Sequence, residues 1–282
     1  MAKWSALTGG DGVVVGCDRV SEWMLKWWYD NYKKHNNYPV LFVDFGMSDG
    51  MIAWCKNHGT ILSSRRPGIA WFNKPFALLL SSFARIIWTD IDCEIRGDLA
   101  PLFAYADKGV GVTRDPHTPH CKNADPVATG VIVAKHGDPI IKKWAELIEV
   151  GTKCRGDQEV FNSFANGTTP GVAVMPPEYQ WLRLDGDKQG VTIMHWTGST
   201  GKRLIRKKIE GQNVQNIISR PDKTPNKTAV LATIHKTVHT ATHKKIDQAI
   251  PKTRINPIIS QKKTIRPIKP ITRGSSNSGR RP

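Results

Sequence analysis

The chain has no cysteine framework. Its five cysteines, Cys17, Cys55, Cys93, Cys121 and Cys154, are odd in number and widely scattered, and none stands in a C-x-x-C pair. This pattern argues against a disulfide-stapled fold and predicts reduced thiols in or near a core. Long apolar runs are also missing. The longest stretch, residues 76–88, is broken by Ser81, Ser82 and Arg85, well short of the ~20 apolar residues that span a bilayer. The opening MAKWSALTGGDG carries no apolar signal-peptide centre. A Golgi-type anchor is therefore not expected, and a cytoplasmic location is. Aromatic residues cease after Trp196 and acidic ones become scarce after residue 200.

That last scarcity divides the chain. Residues 1–200 hold 21 basic and 21 acidic side chains, whereas the remaining 82 hold 20 basic and 3 acidic. The formal charge of +17 thus belongs to an appendage on a neutral body. From Lys207 onward Thr, Lys, Ile and Pro dominate, a composition that predicts disorder when alone. The expected organisation is a domain over residues 1–206 and a basic low-complexity tail over 207–282. His235, His239 and His243 fall within that tail, interleaved with Lys236, Lys244 and Lys245, and read as part of a basic surface.

Within the body, short apolar runs alternate with helical patterns. Residues 12–17 (GVVVGC), 38–45 (YPVLFVDF), 59–63, 85–89, 110–113, 130–134 and 191–195 read as strands. Helices are expected at 51–58, from Pro75, at 139–150 and at 158–164, and after a Ser21 cap with Glu22 in the first turn. Trp23, Met24, Trp27 and Trp28 then form a broad apolar face, read as packed core. Such alternation predicts an α/β fold, a mostly parallel sheet flanked by helices. Ligands of such sheets sit beyond the C-terminal strand ends.

Residues 85–103, RIIWTDIDCEIRGDLAPLF, deliver Asp90 and Asp92 to a strand end. Two carboxylates at i,i+2 can share one hard cation, which would neutralise a diphosphate; alone, they equally describe a solvated strand end. The DID-x5-GDL-x2-LF arrangement resembles the DxD region of GT-A glycosyltransferases, particularly family 8 and its relatives. Residues 192–202, TIMHWTGSTGK, resemble that family's strand followed by H-x-x-G-x-x-K. The resemblance spans roughly residues 12–202 and implies a GT-A, Rossmann-like domain. It further implies a metal site of Asp90, Asp92 and His195 loaded with Mn²⁺ or Mg²⁺, with Lys202 and Gly198 at the diphosphate. GVVVGCD stands where the family's first strand cradles the base, which places Gly16, Cys17 and Asp18 at the donor, and Lys74 stands where a basic residue is common.

ATGVIVA occupies the place of the family's Asn-Ser-Gly motif, making Thr129 and Gly130 donor candidates, although Ala128 and Thr129 depart from the polar pair. GDQEVFN matches an Asp-Gln helix start, so Asp157 and Gln158 are the catalytic candidates of a retaining hexosyltransferase. Asp157 equally suits a helix cap, and His195 a satisfied core histidine. Asp18 and Asp44 could meet ribose or base, or simply close turns. His117, His120 and Cys121 offer three zinc ligands without a fourth, and Pro116 and Pro119 favour an ordinary loop.

The implied activity is transfer of a sugar from a nucleoside-diphospho-sugar donor, a UDP-hexose, with metal. The tail points to a polyanionic acceptor, nucleic acid with modified bases ahead of an anionic membrane, since membrane-surface aromatics are absent. A cell-envelope glycan or lipid acceptor, or a non-catalytic nucleotide-sugar or nucleic-acid binding module, are the alternatives. If the tail docks on duplex DNA, affinity should fall with salt at a log–log slope of ~−0.9 per neutralised phosphate. A chain ending near Glu210 should lose that binding yet keep donor hydrolysis. Undiminished DNA binding by the shortened chain, or tail binding to anionic vesicles alone, would contradict this.

Overall fold

Both faces of the first strand are buried, which is why its sequence shows no polar alternation. In β1 (Asp11–Cys17), Val13 and Val15 point to one core and Val14 to the other. The structure is a computed structural model that describes residues 9–66, 68–117 and 125–211. The tail histidines, His120 and Cys121 lie outside the described residues.

β1 pairs in parallel with β2 (Val40–Asp44) and β4 (Arg85–Thr89), and β2 with β3 (Thr60–Ser63). A three-residue strand, β5 (Cys93–Ile95), follows β4 in the chain. Beyond β4 come β7 (Val127–Lys135), β6 (Val110–Arg114) and β8 (Val172–Val174), completing a sheet in the order β3-β2-β1-β4-β7-β6-β8. β7 alone runs against its neighbours. It can do so because an antiparallel partner needs no crossover helix. The expected mostly parallel α/β sheet is therefore present.

Among the described residues, six helices cover the sheet: α1 (Leu25–His35), α2 (Asp49–Lys56), α3 (Lys74–Leu80), α4 (Pro139–Glu149), α5 (Asp157–Asn162) and α6 (Gly198–Ile209). α1 seats Trp28 and Tyr32 on the face of Val13 and Val15, while α3, α4 and α5 pack on the opposite face through Leu78, Trp144 and Phe161. Trp144 is wholly buried, and its indole N–H donates to the Asp157 carbonyl at 2.9 Å. Loss of such a side chain costs roughly 3–5 kcal/mol, and here it would also release the start of α5. Among the described residues, no helix is long and apolar enough to cross a membrane.

Several local expectations need correction. Ser21 makes no side-chain cap; instead its hydroxyl and amide donate to the Asp18 carboxylate at 2.6 and 2.9 Å. Glu22 accepts from the Ser48 amide at 2.7 Å. A second sheet of β5, β10 (Ile193–His195) and β9 (Trp181–Leu182) was not foreseen. β5 and β9 are too short to show a period, while β10 lies within the strand expected at 191–195. Nor was α6 foreseen, although Leu204 and Ile205 anchor it in the core. Gly201 permits its close approach, since a Cβ there would lie 1.6 Å from the Trp196 carbonyl oxygen. α6 continues past the composition change at Lys207 to Ile209. Cys17, Cys55 and Cys93 are buried free thiols, and burial pushes Cys55 up to about 12.

Asp44, at the end of β2, closes a turn. Burial alone would raise its pKa, but Arg65 and the amides of Met47 and Gly46, each at 2.7 Å, hold it below the ordinary range. A carboxylate depressed in the folded state stabilises above its unfolded pKa and loses that contribution as pH falls through the folded value. The stability difference between wild type and Asp44→Asn, read from urea midpoints, should be full at pH 7. It should shrink below about pH 4, the unfolded aspartate range; a gap independent of pH would refute it.

Candidate active site

The end of β4 is fixed before any ligand arrives. The Asp90 amide donates to the Gly130 carbonyl at 2.7 Å, and the Cys93 amide returns to the Asp90 carbonyl at 3.0 Å, so residues 90–93 form a tight turn. This turn sends the two carboxylates to different partners. Asp90 accepts from the Trp88 indole N–H at 2.8 Å and pairs with Lys74 at 3.0 Å. Asp92 pairs with His195 Nε2 at 3.2 Å, while its carbonyl accepts from the Trp196 amide at 3.0 Å.

Lys74 opens α3 and is 3 % exposed. Its ammonium meets the Asp157 carboxylate at 2.7 Å, Asp90 at 3.0 Å and the Thr129 carbonyl at 2.9 Å. Burial would lower its pKa, but the charges of Asp157 and Asp90 more than reverse that and hold it above the usual lysine range. Asp90 is pushed up, chiefly by burial and by Asp92, with Lys74 opposing. Asp92 feels the same burial but is held below its ordinary value by His195. Burial would lower the His195 imidazole, and Asp92 raises it above its usual value.

His195 Nδ1 meets the side-chain amide nitrogen of Gln180 at 3.1 Å, and both residues are buried. The chemistry of the donor set suits a divalent cation: two carboxylates and an imidazole from the β4 turn and the end of β10. Cys93 also lies within 4.8 Å of the Asp92 and His195 ligand atoms. Its thiol, however, faces the Gly130 carbonyl at 3.8 Å, and burial holds it well above the usual thiol range. A protonated thiol is a poor ligand, which leaves Asp92 and His195 of these three. Asp90 lies outside that group, its carboxylate turned to Lys74 and the Trp88 indole.

A cleft of about 230 Å³ opens above this network. Of the residues expected at the donor, Gly16, Cys17, Asp18, Lys74, Asp90, Asp92 and Lys202 line it. Thr129, Asp157 and Gln158 form a frame reached through Lys74. Thr129 accepts onto its carbonyl from Lys74, and its amide donates to the Gln158 side-chain oxygen at 3.1 Å. Gln158 in turn donates to Asp115 at 2.8 Å. Asp157 does not cap α5, for Gly156 holds that position without a side-chain bond. Gly198, at φ 79°, begins α6. His117 pairs with Asp185 at 2.7 Å, an ordinary loop contact.

The sequence reading missed the aromatic wall. Trp23, expected in the core face, lines the cleft together with Phe45, Trp71 and Trp88. Only Trp71, on the turn Ala70–Asn73, is largely exposed, at 51 %. Gln180 and the buried Arg183, whose guanidinium donates to the Thr197 carbonyl at 2.6 Å, were also missed. No motif surrounds either, and only their polarity beside an apolar segment could have drawn attention.

No protein-family model matches the chain, and no curated protein matches it in sequence. Solved structures do match in fold. The galactosyltransferase LgtC, in complex with donor and acceptor sugar analogues, is 13% identical over 72% of this chain and 96% of its own, at a TM-score of 0.53. The glycosyltransferase GlyE of Streptococcus pneumoniae TIGR4 is 15% identical over 77% of this chain and 66% of its own, at 0.55. The bifunctional glycosyltransferase WbbM is 14% identical over 67% and 46%, at 0.51. The fold is the GT-A type that the motifs implied.

Removing the Lys74 ammonium leaves the buried Asp157 and the half-buried Asp90 without their shared cation, and breaking a buried pair typically costs about 3–5 kcal/mol. Lys74→Met should therefore lower the urea midpoint markedly at pH 7, and Asp157→Asn in the same chain should recover part of the loss. A Lys74→Met protein as stable as wild type would contradict the assignment.

Proposed function

We propose that this protein is a metal-dependent glycosyltransferase that takes a hexosyl group from a UDP-sugar and passes it to a polyanionic acceptor. The observation that carries this reading is the convergence of Asp90, Asp92 and Lys202 on one cleft, with His195 paired to Asp92. These residues come from the β4 turn, the end of β10 and α6, and only the fold unites them. An empty binding module would have no need to keep two carboxylates, an imidazole and two lysines around a single cleft.

A divalent ion held by Asp90, Asp92 and His195 would compensate the charge of the departing nucleoside diphosphate. The chain's own residues do the remaining work. Lys202 offers an ammonium to phosphate oxygens, and the first turn of α6 presents backbone N–H groups and a positive dipole end beside it. Gly198 lets that backbone approach closely. Gly16, Cys17 and Asp18 bound the nucleoside end of the cleft. Lys74 orients Asp157 beside the donor sugar, where negative charge stabilises an oxocarbenium-like state. Gln158, held between Thr129 and Asp115, fixes the same wall. By its resemblance to family 8 the transfer retains anomeric configuration. The charge of residues 207–282 and their lack of aromatics favour nucleic acid as the polyanion over a membrane.

Incubation with Mn²⁺ and a panel of nucleotide sugars should release UDP from a UDP-hexose. Asp92→Ala and His195→Ala should each remove most of that turnover. Lys202→Ala should weaken UDP binding by ~1.5–3 kcal/mol, the value of a charge-assisted hydrogen bond. Near-normal Mn²⁺-dependent hydrolysis by Asp92→Ala, or equal UDP affinity with and without metal, would sink the proposal.

A further inference from the structure

Gln180 ends the turn Pro177–Tyr179 and is 3 % exposed. Its side-chain oxygen accepts from the Val131 backbone N–H at 2.9 Å and from the Thr113 hydroxyl at 3.3 Å. A backbone N–H can only donate, so it dictates which end of the Gln180 amide faces it. The amide NH₂ must then face His195 Nδ1, at 3.1 Å. An NH₂ can only donate as well, so Nδ1 is the ring nitrogen with the lone pair. The ring proton therefore sits on Nε2 and is donated to Asp92, 3.2 Å away. Asp92 by itself favours the imidazolium, but that form would place an Nδ1–H against the Gln180 NH₂, two donors face to face, so the Gln180 contact opposes the pull of the carboxylate.

The local packing is shaped for this contact. A Cβ on Gly130 would lie 2.6 Å from His195 Nδ1 and 2.8 Å from the Gln180 amide nitrogen. The bare backbone of β7 leaves the room that the two side chains share, while Val131, the next residue, supplies the orienting N–H.

We infer that Gln180 is a positioning residue that holds metal-free His195 as its Nε2–H tautomer, and that metal loading at Asp92 and His195 requires the Gln180 amide to turn over. The second clause rests on the metal reading proposed above; the first does not. A cation on Nε2 needs the lone pair there, which moves the ring proton to Nδ1 and demands an acceptor opposite it. Gln180 supplies one only by a half-turn of its amide, which takes its oxygen away from Val131 N–H. Affinity for metal is thus set partly by a side chain that never touches the ion.

The test uses the full-length chain and Mn²⁺ alone. Long-range ¹H–¹⁵N spectra of the metal-free protein, with His195 assigned by comparison with His195→Asn, should show an unprotonated Nδ1 and a protonated Nε2. Gln180→Glu presents an acceptor to both neighbours, so it should move the proton to Nδ1 and tighten Mn²⁺ binding, read by EPR titration, on the order of 10-fold. Gln180→Met removes the bias and should leave a mixture of tautomers. A protonated Nδ1 in the wild type overturns the inference, and that spectrum requires no variant to fold. Equal Mn²⁺ affinity in wild type and Gln180→Glu overturns the link to metal. If neither protein binds Mn²⁺ while the tautomers behave as expected, the metal reading fails and the positioning role of Gln180 stands.

Discussion

One buried ammonium organises the cleft end of this molecule. Lys74 reaches Asp90 at the end of β4, Asp157 at the start of α5 and the Thr129 carbonyl in β7. Three elements from distant parts of the chain thereby converge on a single point charge. A cation taken out of water this completely persists only because two carboxylates and a carbonyl replace its hydration. The apolar layers around it, with Trp144 under α5 and Trp88 beside Asp90, hold the partners where the charge requires them. Because each group balances another, the network is ordered by the fold itself, the preorganisation that the proposed electrostatic catalysis would need.

The second constraint is the chain of donors and acceptors behind the Asp92–His195 pair. The Val131 N–H orients Gln180, the Gln180 amide faces His195 Nδ1, and His195 Nε2 meets Asp92, so on the inferred tautomer the ring proton lies on the Asp92 side. The Lys74 and Gln180 networks meet in β7. Thr129 serves Lys74, Gly130 receives the Asp90 amide, and Val131 anchors Gln180. Three successive residues thus coordinate both halves of the site. This gives physical content to a segment, ATGVIVA, whose first two residues depart from the family pattern. Its contribution here comes from backbone groups together with the Thr129 hydroxyl, which faces Asp157 at 3.4 Å, and Ala128 adds no polar side chain.

Much of the fold was legible because its strands are apolar runs of four or more residues bounded by turn signals. β4 begins and ends where the run 85–89 does, and β2 and α2 fall within two residues of the patterns that announced them. What escaped was short or glycine-interrupted. β5 and β9 have three and two residues, too few for a period, and Gly198 and Gly201 broke the helical pattern of α6, whereas β10 falls within the strand expected at 191–195. The site was legible where a motif carried it. Asp90, Asp92, Lys74 and Lys202 all reach the cleft, and His195 reaches Asp92. Gln180 and Trp71 were not legible, since their roles come from neighbours 15 to 67 residues away or from a cleft only the fold creates. Asp18 and Asp44 show the converse. Both close turns, and Asp18 lines the cleft as well.

In the proposed reaction, Asp92 and His195 give up their mutual hydrogen bond to hold a shared cation beside the nucleoside diphosphate. The most direct measurement is a crystal structure of the full-length protein grown with Mn²⁺ and UDP, with anomalous data collected for manganese. The account predicts one manganese peak within bonding distance of an Asp92 carboxylate oxygen and His195 Nε2, with UDP phosphates between it and Lys202. UDP bound with the His195–Asp92 hydrogen bond intact and no manganese beside it would contradict the account.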